Sequence, residues 1–365
     1  MSSGETGGFD RQQAFSGTRE VPDALAIDTE RLADFLSVAV PGFAGPLSAS
    51  QFKGGQSNPT YLLETPGAAY VLRRKPPGKL LPSAHAIDRE YRVMKALGEA
   101  GFPVPRVHCL CEDEAVIGTS FYVMDKVEGR IFWDPSMPGE DRATRASVYG
   151  AMNATLAHLH GIEPAAAGLG DFGKGEGYVA RQIARWSKQY RASEIERIDE
   201  MDRLIDWLPT RLPQAGPVRV VHGDFRLDNL IVAPDRAEVA AVLDWELSTL
   251  GDPVADFTYH CMQWVMPEGP DGGGIGTLKG HDIEALGLPE LAGYIAAYER
   301  ATGFSVAADL DFFFAYNFFR IAAILQGIAG RVRDGTAANA NAAVMERQVR
   351  PLAETAWGFA IRAGA

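Results

Sequence analysis

The chain has 365 residues, of which 46% are hydrophobic and 22% are charged, a composition typical of a globular protein that buries its own core. Its net charge of −12 disfavours nucleic-acid binding, because such binding needs basic surface that displaces counterions from phosphates. No stretch approaches the roughly 18 uninterrupted apolar residues of a membrane span and residues 1–27 lack the apolar segment of a signal peptide, so we expect a cytoplasmic protein that does not bind membranes.

The three cysteines, Cys109, Cys111 and Cys261, do not show the spacing of a disulfide framework. Cys109 and Cys111 form a C-x-C pair, whereas redox and zinc sites typically contain C-x-x-C. We therefore expect reduced and mostly buried thiols.

The first part of the chain contains a leader followed by a strand-rich segment. Residues 1–27 are rich in glycine and serine and carry mixed charges, which predicts a flexible leader. Over residues 28–127, one helix is predicted to begin at Asp28 or Thr29 and a second to cover Ser83–Leu97. Five strands separated by short turns are predicted at Ser48–Lys53, Thr60–Thr65, Ala69–Arg73, Arg106–Cys111 and Ser120–Lys126.

Residues 128–365 are mainly helical in pattern. Helices are predicted at Arg142–His160, Tyr178–Tyr190, Glu194–Leu208, Pro253–Trp264, Pro289–Thr302, Leu310–Arg331 and Asn341–Ile361. Short strands are predicted at Val218–Val221, Leu230–Val232 and Val239–Leu243. The predicted fold is therefore α+β with two lobes, a five-stranded antiparallel sheet plus a helix and a larger helical lobe. The cleft between two such lobes is a common ligand site.

The residues that most strongly indicate chemistry follow two apolar strands. The sequence HGDFRLDN runs from His222 to Asn229, and Asp244 follows 15 residues later within LDWE. Phosphoryl transfer needs a carboxylate that accepts the proton of the acceptor hydroxyl and oxygen ligands for magnesium, and Asp224, Asn229 and Asp244 supply them in the order found in kinases. The alternative is that Asp224 and Asn229 only cap a turn.

These motifs resemble those of the aminoglycoside phosphotransferase and choline kinase family, which has a protein-kinase-like fold. The resemblance covers about residues 45–330 and is strongest to bacterial phosphotransferases similar to the kinase domains associated with acyl-CoA dehydrogenases. It implies ATP and magnesium as cofactors, Asp224 as catalytic base, and Asn229 and Asp244 as magnesium ligands. It also implies that residues 28–127 bind the nucleotide and that residues 128–365 carry catalysis and substrate binding.

Two residues of the first motif have separate interpretations. Gly223 replaces the arginine that protein kinases usually carry between the histidine and the aspartate, so we expect no control by activation-loop phosphorylation. His222 is predicted to support the loop through a hydrogen bond, with proton chemistry as the alternative.

Three further acidic residues follow Asp244. Asp252 can cap the helix that begins at Pro253, and the resemblance implies that Asp252 and Asp256 hold the metal loop together. Glu246 occupies the position of the glycine in the D-F-G motif of protein kinases. It could reach a metal or substrate, or could be a solvated carboxylate.

The turn between the first two predicted strands has the composition of a phosphate-binding loop. Gly54 and Gly55 would let backbone N–H groups approach phosphates, and Ser57 and Asn58 could add side-chain donors. This turn lacks the complete G-x-G-x-x-G of protein kinases. The prediction that it binds phosphate therefore depends on its position next to the basic strand.

A basic strand and an acidic helix residue form the second part of the predicted nucleotide site. The resemblance implies a lysine in the strand that ends at residue 73, where this chain has Arg73. Arginine also binds phosphate but with a different shape and length, so the phosphate clamp is Arg73, Arg74 or Lys75, with Arg73 favoured by pattern. Its predicted partner is Glu90; the alternative for Glu90 is a surface ion pair with Arg89, Arg92 or Lys95.

The strand before the connector at 127–129 resembles the kinase hinge that binds adenine through backbone groups, with Met124 and Val127 near the base.

The sequence as a whole predicts an ATP- and magnesium-dependent phosphotransferase that acts on a hydroxyl of a small molecule, with a hydroxyacyl compound favoured by the resemblance. The absence of an A-P-E motif disfavours a protein kinase. The alternatives are an inactive nucleotide-binding protein, suggested by Arg73 and the altered D-F-G, and an aminoglycoside-modifying kinase. The oligomeric state stays open.

Overall fold

A six-stranded antiparallel sheet forms the first half of the fold in the computed structural model, which describes residues 11–54, 58–76, 86–269, 276–333 and 342–365. Its strands, in chain order, are β1 (Thr18–Arg19), β2 (Ser48–Phe52), β3 (Thr60–Glu64), β4 (Ala69–Arg74), β5 (Val107–Cys111) and β6 (Phe121–Asp125). They are arranged in the order β1-β2-β3-β4-β6-β5. The antiparallel sheet predicted from the sequence is confirmed, with one additional strand, β1, at its edge.

The additional strand belongs to the segment predicted as a leader. Residues Arg11–Phe15 form the short helix α1, and β1 then pairs with β2, placing Thr18 opposite Phe52 and Arg19 opposite Gln51. From residue 11 onward, the predicted leader is therefore part of the fold. A strand of two residues is too short to show the alternation of apolar and polar side chains by which strands are recognised in a sequence. The boundary between lobes at residues 127 and 128 stays a prediction.

Two helices cover opposite faces of the sheet. Helix α2 (Thr29–Ala39) begins where Asp28 Oδ1 accepts a hydrogen bond of 3.0 Å from the backbone N–H of Arg31, and its buried Leu32 and Leu36 face a small core formed with the sheet. Helix α3 (Ile87–Glu99) buries Glu90 and its neighbouring apolar residues against the other face. The predicted start of this helix, at Ser83, lies outside the described residues. A short helix that the sequence did not predict, α4 (Glu114–Ile117), separates β5 from β6.

The rest of the chain is mainly helical, as predicted. Its helices are α5 (Arg142–Gly161), α6 (Tyr178–Ala192), α7 (Asp199–Trp207), α8 (Pro253–Cys261), α9 (Ile283–Leu286), α10 (Leu291–Thr302), α11 (Leu310–Arg333) and α12 (Ala342–Arg362). Its strands are β7 (Arg219–Val221), β8 (Leu230–Val232), β9 (Val239–Val242) and β10 (Thr249–Gly251), paired as β7–β10 and β8–β9.

The main difference from the predicted boundaries is the start of α7. The sequence predicted this helix from Glu194, but it begins at Asp199, whose first turn is acidic and so complements the helix dipole. Arg197 lies just before the helix and forms an ion pair with Asp202 across the turn.

Helix α11 passes through the main core. The segment Ala307–Arg333 is long and apolar enough to cross a membrane by length and composition, but 83% of its most apolar window is buried inside the protein. It packs against α6, α8 and α12, which explains why it is apolar on all sides. The three cysteines are buried and unpaired, as predicted, and burial raises the pKa of the Cys109 thiol to about 12.

Candidate active site

An antiparallel hairpin brings the two polar motifs together. Strands β8 and β9 pair with Leu230 opposite Val242, so the residue before β8 and the residues after β9 lie at the same end of the hairpin. The backbone N–H of Leu243 donates to the carbonyl of Asn229 at 2.8 Å and continues this pairing. Asn229 and Asp244 consequently line one cleft. Asp244 adopts a left-handed backbone conformation, with φ of 64°, at the point where the chain leaves β9.

Asp224 lies on the loop between β7 and β8 and accepts several hydrogen bonds. Its Oδ1 accepts from the hydroxyl of Tyr259 at 2.5 Å and lies 3.2 Å from Nε of Arg226. The side-chain amide of Asn229 donates to the Asp224 backbone carbonyl at 2.9 Å and contacts its Oδ2 at 3.3 Å. Contacts on both carboxylate oxygens fix the orientation of this side chain.

Asp256 binds the backbone at the first residues of the same loop. Its carboxylate accepts the backbone N–H of His222 at 2.7 Å and that of Gly223 at 2.8 Å, and lies 3.2 Å from Nε2 of His160. Burial by itself would raise the pKa of Asp256, but the hydrogen bond and charge of His160 outweigh it and lower that pKa. Asp252, four residues earlier in the chain, caps α8 by accepting from the N–H of Val254 at 2.8 Å.

His222 spans the gap between the two motifs. Its Nδ1 accepts from the backbone N–H of Asp224 at 3.2 Å, and its Nε2 lies 2.9 Å from the carbonyl of Leu243, which assigns the proton to Nε2. Both ring nitrogens are therefore engaged in holding the loop beside β9. Gly223, next in the chain, has φ of 84°, and a Cβ there would lie 2.9 Å from the carbonyl oxygen of Leu247. Only glycine fits this conformation and this approach without strain.

The buried guanidinium of Arg73 joins the sheet to the second motif. Its Nε lies 2.9 Å from Oε2 of Glu90, and its Nη2 lies 2.7 Å from Oδ1 of Asp244 and 3.5 Å from Glu246. Burial would lower the pKa of Arg73, but the carboxylates of Glu90 and Asp244 raise it. Arg73 therefore stays charged among three acidic side chains.

Glu90 is fixed by donors from β4, from β6 and from the segment just before β3. It accepts from Nδ2 of Asn58 at 2.9 Å and from the hydroxyl of Tyr122 at 3.0 Å, in addition to its ion pair with Arg73. Its side chain is 1% exposed, so the alternative of a surface ion pair is wrong. Asn58, predicted as a possible phosphate donor, is buried and directed at Glu90.

The alternation of side chains along β4 separates the candidate clamp residues. Successive residues of a strand point to opposite faces. Arg73 lines the cleft, whereas Nη2 of Arg74 donates to the carbonyl of Leu25 at 3.1 Å and its guanidinium lies 5.3 Å from the ring centroid of Tyr61, on the other face. The geometry thus favours Arg73 over Arg74, and Lys75, which follows the end of β4, is not among the residues that line the cleft.

The cleft has a volume of about 1210 Å³ and runs between the sheet and the helical lobe. One end has an apolar wall that includes the predicted adenine-contacting residues Met124 and Val127, together with Val71, Ile231 and Leu243. A second apolar wall is formed by Phe15, Trp133, Met266, Pro351 and Leu352. The volume exceeds that of a usual pocket for one ligand, so the cleft has room for two small molecules.

Gly54 lines the cleft where the predicted phosphate loop begins. A Cβ at this position would lie 3.0 Å from the ring of Trp133 and 3.3 Å from the carbonyl oxygen of Phe15, so α1 and Trp133 pack directly on the loop. Gly55 and Ser57, the other predicted residues of this loop, lie outside the described residues.

The donor set fits a magnesium ion bound together with phosphates. Magnesium prefers oxygen ligands and commonly takes one or two from the protein, with the rest from phosphate and water. Asp244 provides a carboxylate, and the Nδ2 of Asn229 is bonded to Asp224, which leaves its Oδ1 as the amide atom available to a cation. Among the described residues no group of three His, Cys, Asp or Glu side chains forms a separate metal site.

Three residues that contact the loop of Asp224 were not recognised from the sequence. Arg226 is inside the motif itself, and Tyr259 lies three positions after Asp256 on α8, a spacing that places both side chains on one helix face. Arg320 is an isolated charge in the apolar α11, and its Nη2 donates to the carbonyl of Gly223 at 2.8 Å. Such a buried charge needs a partner, which is a usable sequence signal.

Comparison with known proteins gives close relatives over most of the chain. Acyl-CoA dehydrogenase family member 10 of Mus musculus is 45% identical over 361 residues, which make up 98% of this chain and 33% of the mouse protein. A solved structure from Ralstonia eutropha JMP134, provisionally described as an aminoglycoside phosphotransferase, is 49% identical with a TM-score of 0.83 and covers 92% of this chain and 99% of that one. The chain spans about a third to under half of the length of the curated relatives it matches.

Distant solved structures share the fold. Choline kinase from Cryptosporidium parvum has a TM-score of 0.61 at 13% identity, covering 92% of this chain and 95% of that one. The aminoglycoside phosphotransferase APH(4)-Ia, solved with AMP-PNP and hygromycin B, has a TM-score of 0.58 at 15% identity, covering 92% and 98%. The predicted two-lobed, protein-kinase-like fold is confirmed. The family's sequence model matches residues 48–309, a range that contains both motifs, and the chain belongs to the phosphotransferase enzyme family.

Proposed function

We propose that this protein transfers the γ-phosphate of ATP, with magnesium, to a hydroxyl group of a small molecule. The observation that carries the proposal is the meeting of three elements at one cleft: Arg73, which is paired with Glu90; Asp244, which follows β9; and Asn229, which donates to Asp224 just behind the cleft lining. Each element is built from a different part of the chain. Phosphoryl transfer depends mainly on such positioning and on charge stabilisation.

Asp224 is the proposed base. As the acceptor oxygen bonds to the γ-phosphorus and the bond from that phosphorus to the β-phosphate oxygen breaks, the acceptor's proton passes to the Asp224 carboxylate and later to solvent. ADP leaves with the electrons of the broken bond. Asp224 is 21% exposed, so an acceptor hydroxyl can reach it.

Asn229 and Asp244 would hold the magnesium ion, whose chemistry is to neutralise the charge of the phosphates. Arg73 now bonds to Asp244, so an incoming phosphate would compete for the same Nη2. Glu90 keeps Nε of Arg73 fixed during that exchange. This arrangement supports Arg73 as the phosphate clamp, and the apolar wall around Met124 and Val127 supports an adenine site.

The acceptor is proposed to be a hydroxyacyl compound. Trp133, Met266 and Leu352 give the second wall of the cleft an apolar surface that suits an acyl chain. A polycationic aminoglycoside would require excess negative charge there. One acidic side chain of the cleft, Glu140, is instead paired with Arg130. Relatives named as acyl-CoA dehydrogenase family members, in which a segment similar to this chain occurs, agree with this class.

The proposal is tested by comparing wild type with Asp224→Asn in ATP binding and ATP turnover. Thermal shift with magnesium and ATP should be the same for both proteins, whereas turnover should fall by about 10²–10⁴ in Asp224→Asn because the base is lost. Asp171→Asn, a matched change at an exposed carboxylate, should have no effect. Binding without turnover in wild type would identify an inactive nucleotide-binding protein, and neither binding nor turnover would refute the kinase assignment.

The acceptor class is tested separately with labelled ATP. Hydroxy acids, hydroxyacyl thioesters and aminoglycosides would be compared for phosphate incorporation at equal concentration. Incorporation into hydroxyacyl compounds is expected. Preferential incorporation into aminoglycosides would refute the acceptor class while leaving the phosphotransfer reaction intact.

A further inference from the structure

The shortest contact of Asp224, the proposed base, is with the hydroxyl of Tyr259. Tyr259 lies on α8, and its hydroxyl donates to Oδ1 of Asp224 at 2.5 Å. Burial raises the pKa of Tyr259, and the nearby charge of Asp224 raises it further, so the phenol remains protonated and is the donor. The hydrogen bond therefore points from the helix to the carboxylate.

Tyr259 is itself held in place from α11. The guanidinium of Arg320 lies 5.2 Å from the centroid of the Tyr259 ring, a cation–π contact, and the same guanidinium donates to the carbonyl of Gly223 at 2.8 Å. One buried arginine therefore fixes both the ring of Tyr259 and the backbone next to Asp224. The hydroxyl and the carboxylate meet because two helices and one loop share this support.

The two oxygens of Asp224 have different surroundings. Oδ1 is contacted by the Tyr259 hydroxyl and by Nε of Arg226 at 3.2 Å. Arg226 is held in turn by Asp228, whose carboxylate lies 3.1 Å from its Nη2. Among the described residues, Oδ2 has a longer contact of 3.3 Å with Asn229, a residue that lines the cleft. Oδ1 is therefore engaged by Tyr259 and Arg226, and Oδ2 lies beside a residue of the cleft lining.

We propose that Tyr259 is a positioning residue that holds Oδ1 of Asp224 so that Oδ2 receives the proton of the acceptor. The proposal rests on the proposed function, in which Asp224 is the base. A carboxylate held by one oxygen cannot rotate away from the reacting hydroxyl, so the hydrogen bond maintains the geometry that proton transfer needs. Tyr259 acts through Asp224 and does not touch the reacting atoms.

The test combines Tyr259→Phe with Asp224→Asn in the magnesium-dependent turnover of labelled ATP. Tyr259→Phe keeps the ring against Arg320 and removes only the hydroxyl. We expect kcat to fall about tenfold, which is less than the loss expected when the general base itself is removed. KM for ATP should be unchanged. In the double variant, the loss of the hydroxyl should cause no further fall relative to Asp224→Asn, because its effect passes through that carboxylate.

Tyr294→Phe is the matched control. It removes another buried hydroxyl from the same lobe, one that lies 2.7 Å from Nε2 of His260 and has no contact with Asp224. The two Phe variants should lose similar thermal stability, and only Tyr259→Phe should lose turnover. Equal kcat for both, or a fall of about tenfold that persists in the Asp224→Asn background, would overturn the positioning role. A wild type that does not turn over ATP would overturn the proposed function and this inference together.

Discussion

Arg73 occupies the position at which the family resemblance implies lysine, and the structure shows how the chain uses the difference. A lysine has one ammonium group, whereas the guanidinium contacts Glu90 through Nε and Asp244 through Nη2 at the same time. The substitution therefore connects the helix carboxylate directly to the residue proposed to bind metal. Strand geometry separates two of the three clamp candidates, because Arg73 and Arg74 point to opposite faces of the sheet.

Arg73→Lys should raise KM for ATP about tenfold, because a single ammonium cannot bind Glu90 and the phosphates with the same geometry. Arg73→Met should in addition destabilise the fold by about 3–5 kcal/mol, since Glu90 would be left buried without its cation. Steady-state kinetics and chemical denaturation measure the two effects. Arg74→Lys is the control, because Arg74 lies on the other face of the sheet. Unchanged KM in Arg73→Lys would move the clamp to another residue.

Gly223→Ala should reduce turnover by at least about tenfold and cost about 1–3 kcal/mol of stability. The added Cβ would lie 2.9 Å from the carbonyl of Leu247 at a φ of 84°, so the loop that holds Asp224 must shift. Gly118→Ala is a matched control, with φ of 83° and no atom within 4 Å of its Cβ. Gly118→Ala should lose the stability that alanine at a positive φ costs, and its kinetics should be those of wild type. Full activity of Gly223→Ala would show that the loop tolerates the displacement.

At the scale of elements, local pairing explains why most of the site could be predicted. The β8–β9 hairpin is short and consecutive in sequence, so Asn229 and Asp244 are brought together by contacts between neighbouring segments. The apolar strands and the intervening turn are readable patterns. Helix α1 differs because its position depends on residues more than a hundred positions away, as in the hydrogen bond of 3.0 Å from Gln12 to the carbonyl of Ile131.

Deletion of residues 1–16 should raise KM for ATP about fivefold, because α1 packs on Gly54 of the predicted phosphate loop and on Trp133. A fivefold change corresponds to about one net hydrogen bond. Thermal stability should change little, since α1 contributes few buried groups. Deletion of residues 1–10 alone leaves α1 intact and serves as the control. If the longer deletion binds ATP as wild type does, α1 has no part in nucleotide binding.

At the scale of the whole molecule, the helical lobe depends on a core that encloses titratable groups. His260 on α8 is buried, and burial lowers its pKa to about 4, while its Nε2 lies 2.7 Å from the hydroxyl of Tyr294. In the unfolded chain the pKa of histidine is about 6.5. Below that value the unfolded state takes up a proton that the folded state does not bind. The contribution of neutral His260 to stability is therefore fully present above about pH 6.5 and is lost as pH falls toward 4.

Between pH 6.5 and pH 5 this one histidine should therefore reduce the free energy of unfolding by about 2 kcal/mol. Urea denaturation of wild type and of His260→Gln at several pH values would measure the contribution. The variant is expected to be less stable at neutral pH but to depend less on pH over this range. Equal pH dependence of the two proteins would show that His260 is not the group responsible.

The class of fold, the two motifs and the family could all be predicted from the sequence, because strands, helices and motif spacing depend on residues close together in the chain. It could not separate Arg73 from Arg74, because that distinction depends on which face of β4 meets α3 and the hairpin. Nor could it show that Tyr259 and Arg320 reach the loop of Asp224 from two helices that follow it in the chain. These contacts depend on packing between segments that are distant in the chain, so they become visible only in the folded structure.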